Sequence, residues 1–413
     1  AMSLSSKRLF QGDLVIWAIY FWLCMISLIE VYSAGSSLSY KSGDFMAPLF
    51  KQAIFLGIGT AVVWVIHSIP CRFFKLGVVL YPISIFLLIL TLIIGAKEND
   101  GARWLNFGIK FQPSEIAKGA LVLFVALILS FGQTEKGADK RAMKIILFAT
   151  CLTCALIVTE NLSTAALLFA TVFVMMFIGR VPTKQLGKIV GVCLLGVILL
   201  ATVVTILPKE QLDESKLLHR ASTWVDRVKD HTSDKETMSD TIFLRDHAQE
   251  ARAKIAIASS NMIGKMPGNS EQRDHLAQAY SDFIYAIIIE EMGVLGAVFV
   301  AFLYIILLFR AGRIASMCER NFPAYLTMGL AILLVIQAMV NMLVAVGLIP
   351  ITGQPLPLIS RGGTSTIINS VYFGMILSVS RYARKNLDGQ KIEKLPASED
   401  PQDKEFQSSE GME

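Results

Sequence analysis

The chain has 413 residues, 54% of them hydrophobic and only 17% charged. A soluble domain carries about a quarter of its residues as charges, so this composition excludes an ordinary soluble fold. The formal net charge of +5 calls for no nucleic-acid partner, because the cations gather between apolar runs where a membrane topology needs them.

An apolar run of about 18 residues or more is long enough to cross the hydrocarbon core as a helix. Backbone in lipid must satisfy its own hydrogen bonds, so helices are the default. Ten segments are predicted, near 14–34, 50–68, 75–96, 114–131, 143–160, 163–179, 187–207, 282–309, 323–349 and 366–383. The first follows Lys7 and Arg8 as a signal peptide would. Its apolar stretch, Leu14 to Val31, is longer than the usual h-region of about 7–15 residues, and it reads as a retained helix. With the N-terminus inside, the inner connections hold Lys7, Arg8, Arg72, Lys75, Lys136, Lys140, Arg141, Lys144, Arg180, Lys184, Lys188, Arg310, Arg313, Arg320, Arg381, Arg384 and Lys385. The short outer connections hold far fewer cations. The positive-inside rule therefore puts both termini in the cytoplasm.

The expected fold is all-α: a polytopic integral membrane protein with about ten transmembrane helices. Residues 1–13 form a cytoplasmic N-terminus and 14–383 the transmembrane domain. A large extracytoplasmic loop, 208–281, joins helices 7 and 8, and 384–413 form a disordered cytoplasmic tail, charged and poor in aromatics. The six cysteines lie mostly within apolar runs and the long loop has none, so no disulfide framework is implied. Cys151 and Cys154 have metal or redox spacing, yet sit mid-helix with no histidine nearby and read as packing residues.

Four outer stretches carry polar groups of chemical interest. The first runs from Gly101 through Arg103 and Trp104 to Gln112-Pro113-Ser114-Glu115 and Lys118. Pro113 suits the first turn of a helix and Glu115 its dipole, while Glu115 and Lys118 are spaced to pair. Arg103 and Lys118 are expected to face outward as cations. Neutralising a lipid phosphate and snorkelling at the interface are both open readings for them. The second is Glu160-Asn161-Leu-Ser163-Thr164, a hairpin in which Ser163 or Thr164 can cap the next helix.

The third is the long loop. His219-Arg220 and Trp224 are followed by an amphipathic, helical stretch from Gln249 to Ser260, then by a turn at Gly264-Lys265-Met-Pro-Gly268. That turn has neither the spacing nor the preceding strand of a phosphate-binding loop. The loop ends at Ser281-Asp282, with Glu290 and Glu291 further along the eighth helix. Taken alone, Asp282 reads as a helix cap, and Glu290 and Glu291 as structural ion-pair or hydrogen-bond anchors inside the bundle. The fourth, Gly347 to Ser365, holds Pro350, Gly353, Pro355, Pro357, Ser360, Gly362 and Gly363, a density suited to a re-entrant turn beside a cavity. No cluster of His and Cys marks a dedicated metal site.

Taken together, these motifs resemble the SEDS proteins, the FtsW/RodA group of bacterial cell-wall polymerases, over roughly residues 14–385. The resemblance rests on Tyr32-Ser33-Ala34, Arg103-Trp104, Gln112-Pro113-Ser114-Glu115 with Lys118, Asn161-Leu162 with Thr164, and Arg220. It continues through Gly264-Lys265, Ser281-Asp282-Phe283, Glu290-Glu291, Asn341, Pro357 with Ser360, and Gly362-Gly363. The chain departs from the family pattern at Leu276-Ala277-Gln278, where the family has Leu-Pro-Glu. It departs again at Asn161, where the family has Asp, and at Arg361, where it has Tyr.

The resemblance implies a peptidoglycan glycosyltransferase in the bacterial cytoplasmic membrane that polymerises lipid II on the outer face. Asp282 would be its general base. Arg103, Lys118, Arg220 and Lys265, in falling order, would stabilise the diphosphate leaving group, helped by Glu115 and Ser360. Gln112, Pro113, Ser114, Asn161, Thr164, Glu290, Glu291, Pro357, Gly362 and Gly363 would support the site. A divalent cation, Mg or Mn, at Asp282 is compatible with this chemistry. The implied partners are a class B penicillin-binding protein and other membrane proteins of the divisome or elongasome. The motif-rich C-terminal half resembles the division-type, FtsW-like branch. The elongation-type RodA paralogue, a lipid II flippase and a non-enzymatic division scaffold are the alternatives.

Overall fold

The computed structural model describes residues 10–34, 46–94, 96–98, 101–106, 110–135, 137–159, 161–206, 221–228, 248–272 and 281–393. Four helices come first: α1 (Leu14–Ala34), α2 (Ala47–Ser68), α3 (Leu80–Ile94) and α4 (Pro113–Phe131). Then follow α5 (Lys140–Val158), α6 (Leu162–Ile178) and α7 (Thr183–Ile206). Beyond a short helical stretch at 221–228 come α8 (Ala248–Ala258), α9 (Ile284–Ser316), α10 (Asn321–Ala345) and α11 (Thr364–Glu393). All ten expected membrane segments are helical, and α8 is the expected amphipathic helix of the outer loop. Eight of the ten are long and apolar enough to cross a membrane by length and composition. The other two are α6, with 17 residues, and α11, whose second half is charged. The membrane domain is thus all-α and polytopic.

The core lies between α4 and α10, the two spans that share the deepest burial with 67% of their most apolar windows inside the protein. Both present small residues at the contact: Ala117, Ala120 and Ala126 on α4, Ala331 and Ala338 on α10, all fully buried or nearly so. Lipid is as apolar as leucine, so helices associate in it through close packing, and small side chains permit the approach. Around this pair sit α3, α5, α6, α9 and α11. Helix α7 is peripheral, with 6% of its window buried.

Three features differ from the sequence reading. The polar connection before α4 forms a small antiparallel sheet, β1 (Ala96–Glu98), β2 (Gly101–Asn106) and β3 (Lys110–Phe111). Ala96 pairs with Trp104 and Leu105 with Phe111. A two-residue hairpin, β4 (Gln133–Thr134) and β5 (Gly137–Ala138), joins α4 to α5. The third membrane segment opens as a 3₁₀ turn series over Cys71–Val79, with α3 beginning where the α-helical ladder starts.

Two boundaries also move. Helix α11 runs to Glu393, past the expected end of helix at 383. The eighth membrane helix runs to Ser316 and is broken at Gly293, where φ is 70° and ψ is −174°. The break is central to the site.

Candidate active site

The Pro- and Gly-rich connection between α10 and α11 folds back against the outer ends of four helices. Gly347, Gly353 and Gly363 have positive φ, which lets the chain turn tightly without a side-chain clash. Its polar groups converge on the segment that starts α9. The Asn341 amide donates from Nδ2 to the Asp282 carbonyl at 3.0 Å and to the Gln354 carbonyl at 2.8 Å. The Ser360 hydroxyl donates to the Ser281 carbonyl at 2.7 Å and accepts from the Leu356 amide at 2.8 Å. The Ser281 hydroxyl donates to Asp282 Oδ1 at 2.8 Å. The Asp282 backbone is therefore pinned from two sides, while its side chain stays half-buried at the outer end of the bundle.

The network continues inward. Gln354 Nε2 donates to Thr164 Oγ1 at 2.8 Å. Gln337 Nε2 donates to the Pro355 carbonyl at 2.9 Å, and Lys118 Nζ donates to Gln337 Oε1 at 2.8 Å. Lys118 pairs with Glu115 at 2.8 Å, and Tyr372 donates to the Glu115 carbonyl at 2.9 Å. The expected pairing of Glu115 with Lys118 is present. The expected outward cation is not: Lys118 is 1% exposed. An ammonium removed from water needs a carboxylate and further acceptors around it, and Glu115 and Gln337 supply them. Lys118 thus supports the re-entrant connection through Gln337.

A second polar cluster surrounds the break in α9. The loop 261–266 lies against it as a strand of backbone partners. Lys265 and Met266 donate to the carbonyls of Glu290 and Glu291 at 2.9 and 2.8 Å. Val294 and Leu295 donate to the carbonyls of Asn261 and Met262, both at 3.2 Å. The loop thus takes up groups that an interrupted helical ladder leaves open. Glu290 Oε1 meets Lys265 Nζ at 3.1 Å and Glu290 Oε2 accepts from the Ser270 hydroxyl at 2.5 Å. Glu291 accepts from the Ser33 hydroxyl of α1 and from the amides of Gly268 and Ser270. The hydrogen bond to Glu290 holds the Lys265 ammonium above its ordinary pKa of 10.5, with Glu271 adding to it. Glu290 and Glu291 thus tie the loop to α9 and, through Ser33, to α1.

Asp282 does not cap α9: the cap position is Phe283, without a side-chain cap bond. In the hairpin before α6 the capping side chain is Asn161, which accepts from the amides of Ser163 and Thr164, rather than Ser163 or Thr164. Pro113 is at the start of α4 with Glu115 in its first turn and Gln112 at the cap position. Ser114 is buried. The Pro357 carbonyl accepts from Tyr304 at 2.6 Å, and Ser365 closes the turn onto the Gly362 carbonyl at 2.9 Å. Arg103 lies on β2. Glu160, His219, Arg220 and Leu276 to Gln278 lie outside the described residues.

Ser360 uses its hydroxyl within the protein, so it holds the Asp282 segment rather than presenting an open donor. Lys265 is engaged by Glu290 and by Glu271 at 3.3 Å. Among the described residues no three His, Cys, Asp or Glu side chains come together as a metal cluster. The sequence reading missed Gln337 and Gln354. An amide inside an apolar run such as Ala331 to Val340 is a signal in itself, because a polar group in a membrane helix needs a partner. The same signal marks Glu30 of α1, which is fully buried.

Three comparisons bear on this arrangement. The family profile described as a cell cycle protein, FtsW/RodA/SpoVE, matches residues 13–385. A probable peptidoglycan glycosyltransferase FtsW of Nitrosococcus halophilus is 31% identical over 377 residues, 88% of this chain and 91% of the relative. Stage V sporulation protein E of Bacillus subtilis is 29% identical, over 90% of this chain and 98% of its own length. Among solved structures, the Rod shape determining protein RodA of Thermus thermophilus superposes with a TM-score of 0.63 at 23% identity, over 90% of this chain and 97% of that one. A chain from a structure described as "Structural coordination of polymerization and crosslinking by a peptidoglycan synthase complex" gives a TM-score of 0.67 at 24% identity, over 90% and 98%. The fold is theirs, and the chain belongs to the FtsW/RodA/SpoVE family of multi-pass membrane proteins.

Proposed function

We propose that this chain is a peptidoglycan glycosyltransferase that polymerises lipid II into glycan strands at the outer face of the bacterial cytoplasmic membrane, with Asp282 as general base. The observation that carries this is the setting of Asp282. Its backbone is clamped by Asn341 and Ser360, its side chain is half-buried at the outer end, and it caps no helix. A clamped carboxylate at that depth suits a sugar in water whose lipid tail stays in the bilayer. The names of the curated relatives point to the same activity.

The reaction joins the 4-hydroxyl of one lipid-linked disaccharide to the anomeric carbon of another. As that C–O bond forms, the anomeric carbon–phosphate oxygen bond breaks and polyprenyl diphosphate leaves. The hydroxyl proton passes to the Asp282 carboxylate. Positioned general-base catalysis of this kind contributes about 10²–10⁴-fold. The diphosphate gathers negative charge that cations must meet. Arg103, Arg220 and Lys265 are the candidates. Lys118, buried in its pair with Glu115, acts by positioning. A divalent ion, Mg or Mn, would be held by Asp282 and would supply positive charge to meet the charge that gathers on the leaving diphosphate.

Septal synthesis is the setting favoured by the FtsW names among the relatives, and a class B penicillin-binding protein is the favoured partner, given the synthase complex that shares the fold. The test is lipid II polymerisation by the purified chain, alone and with such a partner. Long glycan products support the reading. No product in either condition, with a known polymerase working in parallel, overturns it.

A further inference from the structure

At the end of the bundle opposite Asp282 lies a cavity of about 570 Å³ that the polymerisation chemistry does not use. That volume is in the range of small-ligand sites, about 300–1,000 Å³. Its walls come from the 3₁₀ segment, the end of α4, the start of α10 and Tyr382 of α11. Arg72, Lys75 and Arg320 line it, against one acid, Glu319. Lys75 Nζ sits 5.8 Å from the Phe131 ring and 5.9 Å from the Phe322 ring, which holds the ammonium at the cavity wall. Arg72 stacks over Phe73 at 4.9 Å. None of the three cations forms an ion pair with a described carboxylate. Asn321 and Phe322, the first two residues of the 25-residue α10, line the same wall without a side-chain cap, adding two amide donors and a favourable dipole for an anion.

The surroundings of the cavity identify its ligand. Beside it, Phe73, Leu76, Val79 and Phe131 are 46%, 70%, 59% and 72% exposed. On a membrane-spanning bundle those side chains face acyl chains. A basic recess that opens beside an apolar surface matches one molecule with a charged head and hydrocarbon tails.

We infer that this cavity is a binding site for the phosphate headgroup of an anionic phospholipid of the inner leaflet, held by Arg72, Lys75 and Arg320. This stands apart from the reading of Asp282, and neither depends on the other. Each cation near a membrane surface contributes about 1 kcal/mol toward an anionic lipid, a factor of roughly five in affinity.

The test uses the full chain in nanodiscs of phosphatidylcholine with added phosphatidylglycerol, with lipid retention read by native mass spectrometry. Preference for phosphatidylglycerol should fall roughly fivefold in R320Q and to the phosphatidylcholine level when Arg72→Gln and Lys75→Gln are added. The pair K140Q and K144Q, exposed inner-side lysines outside the cavity, should leave it unchanged. An unchanged preference in both R320Q and the triple variant overturns the inference. Equal losses in the K140Q/K144Q control also overturn it, since they mean diffuse surface charge. So does displacement of the lipid by millimolar inorganic phosphate, which would make the ligand a soluble anion. Thermal unfolding verifies that each variant is folded, and R320Q alone decides the matter if the triple variant is not.

Discussion

Replacing Gly293 by alanine tests the break in α9. At φ 70° and ψ −174° the residue occupies a region open essentially to glycine, where other residues are strained by about 1–3 kcal/mol. A Cβ there would lie 2.4 Å from the Met262 carbonyl oxygen, 2.5 Å from the Ile263 carbonyl carbon and 2.6 Å from the Gly264 nitrogen. All three are backbone atoms, so relief requires the loop to lift. Lifting breaks the four backbone bonds from Asn261, Met262, Lys265 and Met266 to α9, each worth about 0.5–1.5 kcal/mol. Strain plus the loss of even two bonds gives a cost of about 3 kcal/mol for the seated loop. The assay is limited proteolysis of residues 261–272 in detergent alongside lipid II polymerisation. Cleavage should rise by about a hundredfold, the population change that such a cost implies, and polymerisation should fall with it. G191A on α7, where a Cβ meets nothing within 4 Å, should behave as wild type. A protected loop and full activity in G293A would refute the claim that the loop seats on this break.

The remaining predictions concern the network around Asp282. Asn341→Leu removes the amide that ties the Asp282 and Gln354 carbonyls together, and should lower kcat tenfold or more with little change in lipid II binding; equal loss in both would assign Asn341 to binding. Lys118→Met leaves Glu115 buried without its cation and should destabilise the protein by about 3–5 kcal/mol, read as chemical unfolding. Adding Glu115→Gln should restore much of that. For Lys265 the direction of the pH effect is fixed by its raised pKa. A group held above its unfolded value contributes fully below that value and loses its contribution as pH rises through the folded one. Loop protection should therefore be flat from neutral pH to about pH 9 and weaken only above the ordinary lysine value of 10.5. A loss near neutrality would point to a different tether.

Much of the fold was legible because the membrane imposes a simple code. Each span is an apolar run, so the ten helical segments followed from pattern alone. The break at Gly293 was hidden because Glu290 to Leu295 keeps helix-forming composition, and the departure is forced by loop backbone distant in sequence. The sheet from Ala96 to Phe111 was hidden for a similar reason: strands of two to six residues leave too short a pattern to read. At the site, Asp282, Asn341, Ser360 and the Glu115–Lys118 pair were visible as motifs. Their connection was not, because it runs through Gln337 and Gln354 and through contacts between helices. Lys118 shows the consequence: spacing identified its partner, while only packing revealed that its charge is buried.

The central claim is that the Asp282 carboxylate accepts the proton of the attacking hydroxyl. Asp282→Asn keeps the shape and the Ser281 contact while removing the base, so the decisive measurement is its rate of lipid II polymerisation beside wild type, with thermal unfolding and partner binding checked on the same preparation. Asp282→Asn should give a folded, partner-competent protein whose rate is lower by about 10²–10⁴-fold. A rate within a few-fold of wild type would contradict the claim and leave Asp282 a positioning residue only.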